Sequence, residues 1–530
     1  MNRSAPRRPS FARSLALKLI APATLFALWW AASAWGAFPP LLLPGPEAVA
    51  RRAWTLLSTG ELLRHAAVSI ARVFSGFALS SCLALLAAFA LYRSKRLEEA
   101  ASPILESLRV IPPLSLVPLL ILWLGIDEAP KLAIVILASF FPVHLSALSA
   151  LKSTHGRYLE LSAVLGLSRA EADRHILIPG AAPGILTGLR LGFGYAWRAL
   201  VGAELIAAGS GLGYLIEDAS LLAKTDVVIV GILTIAILGT AFDALFQRLA
   251  SYWLPGRQGR RARAQTAAAP ARPAEKDIGT DAPRPLYGIR TKALSLAYPN
   301  GRQPVKSLSA IFPAGEVTAL LGRSGCGKTT LLKAFAGLLQ PAGGSLAFEA
   351  AEGKGAAARP VIGLVFQEPT LLPWKTAKEN VMLALLHEPE AEAERRALEA
   401  LELAGLADRA DDYPESLSGG QQQRVGFARA LARKPDILLM DEPFGALDAL
   451  TRAELQAESI RIFERARMTV VMVTHDVREA VRMADRLAVL SNGRLIFEEA
   501  VDAPKPRRIG DPVCTALEER VLGILMALPK

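Results

Sequence analysis

The residues best suited to chemistry lie in the nonapeptide Gly322-Arg-Ser-Gly-Cys-Gly-Lys-Thr-Thr330. Gly322, Gly325 and Gly327 let backbone N–H groups converge on phosphate oxygens with no Cβ in the way. Lys328 supplies a point charge for β- and γ-phosphates, and the Thr329 hydroxyl suits Mg²⁺. Ser324, Cys326 and Thr330 complete the cradle. The apolar run before the loop, residues 317–321, reads as a strand, and a helix is expected from near Thr330; that is the setting this spacing needs. A second strand-like run, Ile437-Leu-Leu-Met440, ends in Asp441-Glu442. An acid at the carboxyl end of such a strand, beside a phosphate loop, holds a metal and water. Asp441 fits the metal role. Glu442, one step further toward the γ-phosphate, fits the base that polarises an attacking water. A solvated acidic turn fits poorly after four apolar residues. Between these motifs, Leu417-Ser-Gly-Gly-Gln421 reads as a turn before an amphipathic helix, whose amino terminus is an anion site.

These motifs all lie in the second half of a 530-residue chain, long enough for two to four domains. The chain is 52% hydrophobic with a mean hydropathy of +0.31, yet 21% charged. Residues 1–285 hold 29 Lys/Arg and 18 Asp/Glu, so of the totals of 60 and 49 the remainder keeps 31 of each. The net +11 therefore belongs to the greasy half. Its arginines cluster between apolar spans, which suits membrane orientation better than nucleic-acid binding. Cys82, Cys326 and Cys514 are widely separated and have neither disulfide-framework nor metal spacing.

Apolar stretches at 19–38, 73–92, 110–126, 132–151, 181–208 and 227–242 predict six spans. The first follows Arg3, Arg7, Arg8, Arg13 and Lys18 and is long enough to be a retained helix rather than a cleaved signal. Arg93, Lys95, Arg96 and Arg109, then Lys152, Arg157, Arg169 and Arg174, then Arg248, Arg257, Arg260, Arg261 and Arg263 mark one face of the membrane. Arg51, Arg52 and Arg64 are exceptions on the other. The balance predicts both termini of this half in the cytoplasm. Arg190, Arg198 and Glu204 fall within the fifth stretch. Arg190 is expected to snorkel, Glu204 to lie near the outer interface and Arg198 to pair with a neighbouring helix; contact with a transported solute is the sharper alternative for the last two.

The loop between spans four and five predicts a helix over 158–165, a turn at Gly166, and a second helix over 169–178 halted before Pro179: a cytoplasmic elbow able to transmit force. Residues 255–285, rich in Arg, Ala and Pro without apolar period, read as a flexible tether between a domain at 1–254 and one at 286–530.

The elbow resembles the EAA loop of ABC importer permeases at Glu160, Gly166, Ile176 and Pro179; it departs at Leu161 and Ser162, where that motif has two alanines. With the phosphate loop, Asp441-Glu442 and LSGGQ in order, residues 287–499 resemble the nucleotide-binding domain of ABC transporters. The resemblance implies an all-α six-helix transmembrane domain followed by an α/β P-loop NTPase. It also implies that Tyr298 stacks on adenine, that Gln367 in Val365-Phe-Gln-Glu-Pro senses Mg²⁺, and that His475 contacts the γ-phosphate. Ser418, Gly419 and Gly420, with Gln421, would meet the γ-phosphate of the opposite subunit's ATP, and Asp448 would lie at the dimer seam. One chain carries one phosphate loop, one signature and six spans, which implies a homodimer with two composite ATP sites. The runs Phe366–Trp374, 111–119 and Gly202–Gly213 are similar to the nitrate/sulfonate/taurine importers, a family that draws solute from a separate extracytoplasmic binding protein at the bacterial cytoplasmic membrane. LSGGQQQR departs from the Met-containing form common there and keeps importers of thiamine-precursor pyrimidines as an alternative. Of other classes, a soluble ABC ATPase has no six-span half, and an ATP-regulated channel would show flux without hydrolysis.

Overall fold

The computed structural model describes residues 11–36, 38–253, 285–351, 359–445, 449–508 and 510–528. Two compact units emerge, one of residues 1–153 with 181–254, the other of 154–180 with 255–530. The expected tether at 255–285, apart from Pro285, lies outside the described residues.

Among the described residues, four helices are long and apolar enough to cross a membrane: Glu61–Arg93, Glu128–Val164, Arg169–Ile206 and Thr225–Ala250. The expected third span is instead a pair, Lys95–Val110 and Pro113–Leu124, bent by 85°. Pro112 and Pro113 account for the bend: the residue before a proline is driven out of the helical region, and Ile111 adopts φ −73°, ψ 119°. The first stretch lies largely in the helix Phe11–Ala34, whose segment Ile20–Ala34 is apolar. Among the described residues the structure thus supports four spans, or five with the bent pair, where hydropathy predicted six. Gly184, Gly188 and Gly192 repeat at four-residue spacing on one face of the helix Ile178–Ala207. A Cβ at each would lie 2.5 Å from Ala150, Ser146 and Val143 of the helix Glu128–Val164. The stripe lets these two backbones meet closely, as packing in lipid favours.

Charges in the fifth stretch are placed differently from the sequence reading. Glu204 is 1% exposed, not interfacial. Its carboxylate accepts hydrogen bonds from Ser69 Oγ (2.8 and 2.9 Å), from an Arg72 guanidinium nitrogen (2.8 Å) and from Gly213 N (3.0 Å). Arg72 also binds Glu128 (2.5 and 2.6 Å) and the Ser210 carbonyl (2.6 Å). Only a tertiary partner 132 residues away makes this burial affordable. Arg198 is exposed and lies over Tyr195 of its own helix, 5.6 Å from the ring centre, instead of pairing with a neighbour. Arg190, also exposed, is paired with Asp243 at 2.5 and 2.8 Å.

Among the described residues the second unit holds nine strands: β1 Tyr287–Leu296, β2 Val305–Phe312, β3 Val317–Leu321, β4 Gly343–Ala350, β5 Ile362–Val365, β6 Ile437–Asp441, β7 Thr469–Val473, β8 Arg486–Ser491 and β9 Arg494–Ala500. An antiparallel sheet runs β2-β1-β4; a six-stranded one runs β5-β6-β7-β3-β8-β9, parallel except for β9. Every residue of β3, β6 and β7 is buried, which is why these strands read as unbroken apolar runs. Their carboxyl ends lie side by side, where open parallel sheets place their ligands.

The elbow belongs to this unit. Its first helix is the end of Glu128–Val164, and Gly166 makes the turn at φ 71°. The expected second helix is not halted at Pro179. A short helix, Arg169–Ala172, passes through a π turn, Asp173–Leu177, into Ile178–Ala207. Pro179 sits in the first turn of that helix, where its missing N–H is tolerated, and the wide π turn before it relieves the ring.

Candidate functional site

Between β3 and the helix Lys328–Phe335, which begins two residues earlier than expected, the phosphate loop is built on backbone that only glycine tolerates. Gly322 has φ 153° and a Cβ there would be 2.3 Å from Leu490 O; Gly327 has φ 110° and would meet Pro304 O at 2.7 Å. Lys328 Nζ donates to the carbonyls of Gly322 (2.6 Å) and Arg323 (2.9 Å) and lies 3.8 Å from Cys326 Sγ. The Thr329 hydroxyl is 3.3 Å from Asp441 Oδ1 at the end of β6. Burial pushes the Asp441 carboxyl above the usual aspartate range, and the Thr329 hydrogen bond opposes this. Tyr298 and Thr330 hydroxyls lie 3.2 Å apart, so Tyr298 stands beside the loop.

Glu442 leaves the strand with φ 46°, an unusual conformation for a residue with a side chain. Its N–H donates to Val473 O of β7 at 2.9 Å. The carboxylate stands between Gln367 Nε2, 3.1 Å from one oxygen, and His475 Nδ1, 3.3 Å from the other. Three residues far apart in sequence are thus brought to one point. Two residues that the sequence reading passed over hold Gln367 there. Gln423 donates to Phe366 O (3.1 Å), and the buried Arg429 to Pro369 O (2.8 Å) and Thr370 O (3.1 Å). With no carboxylate beside it, Arg429 has its pKa lowered by burial to about 10. Their spacing on a helix, i and i+6, carries no local signal.

Ser418 caps the helix Gly419–Ala432: its Oγ accepts from Gln421 N (3.3 Å) and the Gln421 side chain accepts from Ser418 N (2.9 Å). Ser418 and Gly419 are exposed. Among the described residues no hydrogen bond joins residues 418–421 to the phosphate loop. Asp448 lies outside the described residues.

The elbow is seated against the same unit. Glu160 pairs with Lys333 of the helix that follows the phosphate loop. Arg433 donates to Val164 O (3.1 Å) and Trp374 Nε1 to His175 O (3.4 Å). Leu161 (1% exposed) and Ile176 (4%) pack with Leu372 and Leu383, and Tyr158 meets Trp374 edge-on at 5.7 Å. Leu161, the departure from the EAA pattern, is therefore a buried knob larger than the alanine it replaces.

Glu479, unremarked in the sequence, has one oxygen accepting from Thr474 Oγ1 at 2.7 Å and the other buried without a partner. Burial pushes its carboxyl up to about 7. A raised carboxyl pKa means the folded chain holds the proton more tightly, so stability falls as pH rises from the ordinary glutamate value toward 7 and the penalty is complete above it. Glu479→Gln keeps an acceptor for Thr474 and removes the ionisation. It is expected to raise the thermal unfolding temperature at pH 8.5, by at most about 3 kcal/mol of stability, and to change it little at pH 5. Equal shifts at both pH values would contradict this.

Comparison with known proteins finds two families matching separate segments of the chain. Residues 80–252 match the family described as binding-protein-dependent transport system inner membrane component, and residues 305–445 match ABC transporter. The aliphatic sulfonates import ATP-binding protein SsuB of Pseudomonas entomophila (strain L48) is 46% identical over 248 residues, 47% of this chain and 90% of that protein. SsuB of Pseudomonas fluorescens (strain Pf0-1) gives the same figures, 46% over 248 residues. A solved structure of the ATP-binding cassette MJ0796 bound to ADP and Pi is 34% identical, covering 42% of this chain and 100% of that one, with a TM-score of 0.37. A membrane-type helical unit, a phosphate loop abutting an acidic strand end, and this degree of identity together place the chain in the ABC transporter family, as a permease and its ATPase joined in one polypeptide and related to the sulfonate importers.

Proposed function

We propose that this protein imports a small sulfonate-like anion across the bacterial cytoplasmic membrane, driven by ATP, as a homodimer supplied by a separate extracytoplasmic binding protein. The observation that carries the reading is the Glu442 carboxylate held between Gln367 and His475, one residue beyond the Asp441–Thr329 pair. Glu442 is the base that polarises water; Gln367 and His475 aim it. Lys328 and the backbone of Gly322–Thr330, with Ser324 and Cys326, hold the phosphates, and Tyr298 holds the adenine.

The oxygens of Asp441 and Thr329 suit a hard cation such as Mg²⁺, with Gln367 beside it. Among the described residues no cluster of three or more His, Cys, Asp or Glu could hold a metal. Asp441 and Thr329 would hold the ion, which would supply positive charge against that developing on the phosphates.

Ser418, Gly419, Gly420 and Gln421 are exposed or half-buried in one copy. This suits residues completed by a second chain, with Asp448 at that seam. The arginine-rich loops orient the ATPase toward the cytoplasm. Glu160, Gly166, Ile176 and Pro179 form the coupling element, as the Glu160–Lys333 pair and the Ile176 contact support. Sulfonate is the choice of solute because the matched cassettes are named sulfonate importers.

The test is uptake into proteoliposomes with internal ATP and a sulfonate-loaded binding protein. Lys328→Ala is expected to abolish it, and uptake surviving that change would favour a channel. A binding protein selective for a pyrimidine would redirect the substrate alone.

A further inference from the structure

On the second unit a cavity of about 540 Å³ opens among the start of β1, the start of β5 and the end of the helix Gly419–Ala432. It is of a size that takes a small ligand. Arg359, Arg396 and Arg433 line it together with Tyr287, Ala384 and Leu385. Its acids are Glu388, which pairs with Arg396 through one oxygen and keeps the other buried without a partner, and Asp436, which accepts from Val361 N at 2.8 Å. His387 at the rim faces Glu171 at 3.6 Å. Arg359 is exposed, and neither it nor Arg433 has a carboxylate partner among the described residues. Arg396 keeps a buried Nε without a hydrogen bond. Two guanidinium groups without a carboxylate partner, over an aromatic and aliphatic wall, make a surface complementary to negative charge joined to a short apolar tail.

We propose that this cavity binds a small organic anion, and that the anion competes with the elbow for Arg433. Arg433 is the link, because its guanidinium donates to Val164 O at the end of the elbow's first helix and it lines both this cavity and the cleft holding Leu161 and Val164. An anion drawing Arg433 outward removes that hydrogen bond and loosens the elbow's seat, a route by which cytosolic solute level is sensed. The inference follows from the lining and stands apart from which solute is carried.

The test is calorimetric titration of the full chain in lipid nanodiscs, without nucleotide or binding protein, using 1-propanesulfonate and, separately, inorganic phosphate. Propanesulfonate is expected to bind saturably, and phosphate, lacking the tail, about tenfold more weakly. Arg359→Ala is expected to weaken propanesulfonate about tenfold, while Arg359→Lys retains most of the affinity. Arg433→Met should match Arg359→Ala; since it also touches the elbow, the exposed and partnerless Arg359 decides. Absence of saturable heat, affinity unchanged in Arg359→Ala, or phosphate binding as tightly as propanesulfonate would each overturn the proposal. Because the titration contains no ATP, its failure leaves the uptake reading untouched.

Discussion

Glu442→Gln is expected to bind ATP with nearly unchanged affinity and to lose turnover by roughly 10²–10⁴-fold, the usual worth of a positioned general base. The substitution is isosteric, so an oxygen remains to accept from Gln367, now at 3.1 Å, and the backbone bond from residue 442 to Val473 O is unaffected. What disappears is the negative charge that draws a proton from water and faces His475 at 3.3 Å. Transport must fall with turnover if hydrolysis resets the pathway. Measuring phosphate release and nucleotide binding on the same purified sample separates the two effects. Turnover within about threefold of wild type would remove Glu442 from the base role. A parallel loss of ATP affinity would instead point to a collapsed loop.

The second large effect belongs to the membrane unit. Removing Arg72, by Arg72→Leu, is expected to cost about 3–5 kcal/mol, because the fully buried Glu204 carboxylate is left without its opposite, whereas Glu204→Leu, which leaves Arg72 paired with Glu128, is expected to cost less. The double variant is expected to be milder than either cost doubled, since no orphaned charge remains except Glu128, whose side chain is 55% exposed and still has Lys131 at 3.2 Å. Thermal unfolding of the four proteins in detergent gives the coupling directly; simple additivity would mean that the pair is not a unit. The same geometry bears on the solute pathway. Both Glu204 oxygens are occupied by Ser69, Arg72 and Gly213, and a Cβ at Gly211 would come within 2.3 Å of the carboxylate. The carboxylate is wrapped by its own chain, which suits a fastening of the 209–213 loop better than a contact for solute.

Much of the ATP site was legible because it is local. Glycine spacing, a lysine and a threonine at a strand-to-helix junction specify the phosphate loop within nine residues, and four buried aliphatic residues before Asp441 announce a central strand. The Gly166 turn and the apolar spans are local in the same sense, as is the charge asymmetry between the two halves. Where the local reading differed from the structure, it lacked geometry: Pro112-Pro113 bends the third apolar stretch by 85°, and a π turn carries past Pro179 the helix that proline was expected to halt. Glu204 looked interfacial because its partner is 132 positions away. Likewise Glu160 meets Lys333 across 173 positions, Gln367 meets Glu442 across 75, and Arg433 reaches Val164 across 269. Residue type and spacing determined which groups this protein owns and the short segments that present them. Which of those groups face one another was decided only when β6 paired with β7 and the elbow closed on its socket, because hydrogen bonds and ion pairs act over a few ångströms and a linear pattern carries no record of such approach.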